Sequence, residues 1–100
     1  MVKINWTLQA IENIHEIREY FGHQSKRFAE RLTDKFFVKA ESLSKFPQMG
    51  RVVPEIGRPE IRELIFRNYR IIYHLVSNSQ INIIAIHNSN RPLSEESLFE

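Results

Sequence analysis

Two arginines, Arg70 and Arg91, are the residues of this chain best suited to binding or catalysis. The first lies in Asn68-Tyr69-Arg70-Ile71-Ile72-Tyr73 and the second closes Ile86-His87-Asn88-Ser89-Asn90-Arg91. The first stretch is β-branched and aromatic-rich, and the second continues the isoleucine-rich run Ile81–His87, compositions that pack well on a pleated sheet. An arginine is rarely buried there without a partner. Two of them at the rim of one sheet predict a surface for phosphates or carboxylates, because guanidinium presents a rigid fork of donors that matches both. The same pattern would also serve a purely structural end, with the arginines paired to Glu63 and to backbone carbonyls.

Around this pair the sequence offers weaker candidates. His87 and His74 carry imidazoles, a side chain suited to proton transfer, although solvated strand histidines are the plainer expectation. His15 and His23 fall on distant helical segments, so no metal-ligand spacing arises and no metal or cofactor is expected. Glu55, Glu60 and Glu63 read as a solvated rim more readily than as a general base. There is no phosphate-cradling glycine loop, no nucleophile elbow and no paired-histidine zinc motif. All five lysines lie in the first half, whereas Arg51, Arg58, Arg62, Arg67, Arg70 and Arg91 supply every cation of the second. Arg62, Arg70, His74 and Arg91 are therefore the expected partner-binding set. Arg51 would brace its loop by pairing with a helix acid.

The elements that position these residues follow from periodicity. Val2, Ile4 and Trp6 alternate with polar neighbours and predict a short strand. Thr7 caps a first helix with Ile11, Ile14, Ile17 and Phe21 on one face, and Gly22 is the expected left-handed stop. Ser25 caps a second helix with Phe28, Ala29, Leu32, Phe36, Ala40 and Leu43 inward, ending by Phe46-Pro47. The short join makes a helical hairpin. Residues 48–59 form a loop. Strands over Ile61–Phe66, Tyr69–Val76 and Ile81–His87 follow, joined by short turns that impose an antiparallel meander. The tail 92–100 is expected to be loosely held.

The predicted fold is α+β, in the order β-α-α-β-β-β. Its N-terminal helical hairpin packs on one face of a small antiparallel sheet and leaves the other face open. Tyr69, Ile71, Tyr73 and Leu75 would meet the helices. Arg70, Ile72 and His74 would look outward. Arg70 should then be replaceable without loss of stability.

The bulk composition agrees. One hundred residues make a single domain over 1–100, and 42% hydrophobic with 26% charged residues is ordinary for a globular protein. A net charge of +2 is too small by itself to argue nucleic-acid binding. No apolar run approaches the ~20 residues of a membrane span, and the N-terminus lacks a signal-peptide core. The absence of cysteine fits a cytoplasmic protein.

Leu43-Ser44-Lys45-Phe46-Pro47, Gly50-Arg51, Ile61-Arg62-Glu63-Leu64, Tyr69-Arg70-Ile71-Ile72-Tyr73 and His87-Asn88-Ser89-Asn90-Arg91 together resemble, in order, the RelE/ParE toxin superfamily. Trp6-Thr7 with Ala10 and Ile14 is similar to its first helix. The resemblance implies the toxin half of a type II toxin–antitoxin module, of the kind linked to plasmid stabilisation. It also implies a cognate antitoxin and a toxin–antitoxin hetero-oligomer. RelE-like members cleave ribosome-bound mRNA; Arg70, Arg91 and His87 would be the catalytic residues if this chain did so. Ile61 and Glu63 stand where those enzymes carry lysines, however, and Ser97, Leu98 and Phe99 occupy the region of their catalytic tyrosine. The Arg-Glu-Leu, Tyr-Arg-Ile-Ile-Tyr and His-x-x-x-Arg spellings look more like the ParE branch, which inhibits DNA gyrase and needs no nuclease machinery.

Overall fold

The computed structural model describes residues 1–99. Strand β1 (Lys3–Trp6) leads into helices α1 (Leu8–Gly22) and α2 (Lys26–Glu41), and a 3-10 turn over Ser42–Ser44 follows. Strands β2 (Arg51–Val52), β3 (Ile61–Phe66), β4 (Tyr69–Ser77) and β5 (Gln80–Asn88) come next, then a short helix α3 (Glu95–Phe99). The strands form one sheet in the order β1-β5-β4-β3-β2.

Both helix starts are capped as their sequences predict. The Thr7 hydroxyl accepts from the Ala10 amide and Ser25 from Phe28, filling donors that the first turn leaves orphaned. Gly22 is different. It is the last residue of α1, and His23 beyond it keeps right-handed dihedrals. Arg18 of α1 donates to the buried hydroxyl of Thr33 on α2 at 2.9 Å, which clips the hairpin together.

The helices bury Ala10, Ile14, Ile17, Leu32, Phe36 and Ala40 against Ile71, Tyr73, Ile81, Ile83 and Ile86 of the sheet. Each large aliphatic or aromatic side chain so placed contributes roughly 1.5–3 kcal/mol. Tyr73 adds polar contacts: its hydroxyl accepts from the Gly50 amide at 2.9 Å and donates to the Pro47 carbonyl at 3.0 Å. Burial pushes the phenol pKa up. Gly50 has no room for a side chain. A Cβ there would lie 2.5 Å from the Glu63 carbonyl and 2.7 Å from the Tyr73 hydroxyl.

Three features depart from the predicted meander. First, the sheet is mixed, because β1 pairs in parallel with β5, Ile4 opposite Ile81 and Trp6 opposite Ile83. Second, the β4–β5 register shifts after Ile72, which faces Ala85 while Tyr73 faces Ile83. Ile84 is the extra residue, a β-bulge. It carries Ile84 and Ala85 to one face and returns Ile86 to the helix side. Third, the face away from the helices is covered. Val53, Ile61, Ile72, Ile84 and Ala85 form a second, smaller core there, closed by Leu93 and Leu98. The tail is therefore packed through Leu93 and α3, although Glu100 lies outside the described residues. Among the described residues no helix is long and apolar enough to cross a membrane.

Candidate functional site

Arg70 occupies the second position of β4, on the face away from the helices, yet it is only 7% exposed. Its Nε donates to Glu63 Oε1 at 2.5 Å, and its two terminal nitrogens grip both oxygens of Glu55 at 2.7 and 2.6 Å. The second oxygen of Glu63 takes Arg51 Nε at 2.5 Å. The result is an alternating chain, Glu55–Arg70–Glu63–Arg51. Strand pairing builds it, since Arg51 of β2 lies opposite Glu63 of β3. Arg70 holds the Glu55 carboxyl well below the usual carboxylate range, at about 2, and its own pKa is raised chiefly by the hydrogen bond to Glu55. The expected outward-looking arginine is thus neutralised inside the protein.

The glutamates are reassigned accordingly. Glu63 is fully buried between two arginines rather than solvated, and Arg51 pairs with it rather than with a helix acid. Glu60 is half-buried and pairs with Arg58, which also reaches Glu95 of α3 at 3.0 Å. Arg62 does not converge with Arg70. Neighbouring strand residues point to opposite faces, and Arg62, opposite Tyr73, lies on the helix side. There it donates to the carbonyls of Pro59 and Gly50, both at 3.0 Å. His74 is half-buried on the Arg70 face, between Ile61 and Asn82 in register.

His87 is the cross-strand neighbour of Arg70. Its Nε2 lies 3.0 Å from the Arg91 carbonyl, an acceptor, so Nε2 carries the proton and Nδ1 is left free. Arg91 is exposed and makes no ion pair among the described residues. His87 and Arg91 line a groove of about 860 Å³ between the helical hairpin and the end of the sheet, with Tyr20, Phe28, Arg67 and Tyr69 as further walls. β5 is open on this side beyond Ile83, where β1 ends. One edge amide is closed by a side chain, the Ile86 N–H donating to Asn13 Oδ1 at 3.0 Å.

Sequence reasoning overlooked Arg67, Asn13 and Tyr20. Arg67 is the first residue of the two-residue β3–β4 turn and has φ +55°, a conformation that favours glycine. That turn was legible, but the side chain it presents was not. Among the described residues no group of three His, Cys, Asp or Glu side chains gathers in metal-binding geometry. Histidine, free arginines and aromatic walls in an open groove suit an anionic or aromatic partner.

A helical hairpin on a mixed sheet, with an internally neutralised buried arginine beside an open groove, defines a small α+β domain. Residues 4–92 match the model of the family described as the ParE toxin of type II toxin–antitoxin systems, parDE, and the chain belongs to that family. It is 28% identical over 91 residues to Toxin RelE2 of Caulobacter vibrioides, covering 91% of this chain and 99% of that protein. A solved structure from the chromosomal ParDE system of P. aeruginosa shares the fold, with TM-score 0.73 and 18% identity over 88% of this chain and 96% of that one.

Proposed function

We propose that this ParE-type toxin acts by binding rather than by cutting, with DNA gyrase as its target and a cognate antitoxin as its inhibitor. The state of Arg70 carries the proposal. A nuclease of the related branch needs cations poised over a phosphate as negative charge develops. Here the strand arginine is saturated by Glu55 and Glu63. Ser97, Leu98 and Phe99 also stand in the region where the related nucleases carry a catalytic tyrosine. Arg91 and Arg67 form no ion pair among the described residues and line, with His87, a groove suited to an ordered segment of an antitoxin that is disordered until it binds.

The same two residues support the alternative, a ribosome-dependent mRNA endoribonuclease acting through His87 and Arg91. One experiment separates the two. Purified toxin is added to a gyrase supercoiling reaction and to ribosome-bound message. The gyrase reading expects lost supercoiling, intact message and undiminished toxicity of His87→Ala. Message cleavage that His87→Ala abolishes would transfer the assignment to the nuclease.

A further inference from the structure

We infer that the outer flank of α2, continued by the β3–β4 turn, is a binding strip for the phosphate backbone of nucleic acid. This goes beyond the target assignment and holds whichever target is correct. Arg27, Arg31, Lys35 and Lys39 recur every four residues and all are exposed. At 3.6 residues and 5.4 Å per turn, such spacing sets a row of cations climbing one flank in steps of roughly 6 Å. The helix acids Glu30, Asp34 and Glu41 fall on the other flank, the one that turns Phe37 onto Trp6 and Thr33 onto Arg18. None of these cations forms an ion pair among the described residues.

The row does not end with the helix. Lys39 Nζ sits 5.9 Å from the Phe66 ring centre and the Arg67 guanidinium 5.6 Å from the same ring, so one aromatic side chain holds two cations close together. The strained backbone of Arg67 fits this placement, because local strain persists where surroundings impose it and gathers at functional positions. Phe28 and Leu32 of α2 face the neighbouring groove, whereas the four cations stand on the exposed flank of the helix. That flank suits a polyanion whose charges lie on its outside, and neutralising phosphates releases counterions. Nucleic acid is therefore favoured over an acidic protein segment.

The test uses the purified chain with three probes: a short fluorescent DNA duplex, a single-stranded RNA of equal length, and polyglutamate. Binding to nucleic acid should weaken steeply with salt. For four phosphate contacts on duplex DNA the log–log slope should be about −3.6. The double variant Lys35→Glu/Lys39→Glu should reduce that slope by about two and the affinity at least about tenfold at low salt. Lys3→Glu/Lys26→Glu, with the same change in net charge but off the strip, should keep both near the starting values. Circular dichroism confirms that each variant is folded. Preference for the duplex or for the RNA identifies the natural polyanion, and either supports the inference. Tighter binding of polyglutamate, equal losses in both double variants, or no salt-sensitive binding would overturn it.

Discussion

Around Arg70, two carboxylates and two guanidiniums answer one another, and the arginine's fork is filled from within the protein. In the neighbouring groove, which Glu16 also lines, Arg67 and Arg91 form no ion pair among the described residues, although Arg70 and His87 are cross-strand partners. The difference lies in burial and supply. β2 and the loop beyond it bring Arg51 and Glu55 over β3 and β4, whereas at the end of β5 no carboxylate among the described residues pairs with Arg67 or Arg91. A charge shut away from water must be paired internally, because leaving it alone costs several kcal/mol. A charge at the surface is free to wait for a partner. One residue type thus serves cohesion in one region and recognition in the other.

That contrast breaks most visibly at Arg70. Arg70→Ala leaves one oxygen of the buried Glu63 without a donor, although Arg51 still holds the other, and should destabilise the fold by roughly 3–5 kcal/mol, measured by urea denaturation. An effect below about half a kcal/mol would show that the network holds nothing together. Gly50→Ala should follow at roughly 1–3 kcal/mol, since its methyl group would meet the Glu63 carbonyl and the Tyr73 ring. Thermal melts of this variant report the loss, and a native melting temperature would mean that the β2 loop yields freely.

Acid provides a gentler probe. Glu55 has a folded pKa of about 2 against an ordinary 4.5. Its contribution is fully present above about pH 4.5 and is lost as pH falls through about 2, because the unfolded chain takes up the proton first. Melts across that window should show a loss that Glu55→Gln flattens, and parallel curves for both proteins would refute the coupling. The smallest stability change should come from Arg91→Ala, within about half a kcal/mol. If the groove binds antitoxin, that variant should instead lose affinity in a titration, by roughly 2–5 kcal/mol for a charge-assisted contact. Unchanged binding would move the interface elsewhere.

Much of this architecture was legible from local pattern. Alternation along β4 correctly separated Ile71 and Tyr73 from Arg70 and Ile72, and helical spacing picked out the inward faces of α1 and α2. What failed was non-local. Glu55 lies 15 positions from Arg70 in a stretch that reads only as loop, so nothing in the local pattern announced the pair. The bulge at Ile84 breaks the two-residue period that strand reading assumes. Leu93 and Leu98 are too few to signal a packed tail. Within the candidate site, His87 and Arg91 were found from residue type, while Arg67 was hidden by its role as a turn residue.

The parallel seam between β1 and β5 has a consequence for the birth of the toxin. Asn5 and Asn82 meet across 77 positions, so the outer strand finds its place only after residues 80–83 have left the ribosome. Contacts this distant in sequence form late, because closing so long a loop has an entropic cost before any pairing rewards it. The groove shares that timing, since its walls come from α1 at one end of the chain and from β5 and Arg91 at the other. A half-made chain has neither the seam nor the groove. The seam and the groove therefore close only once the residues of β5 have been made, after both helices.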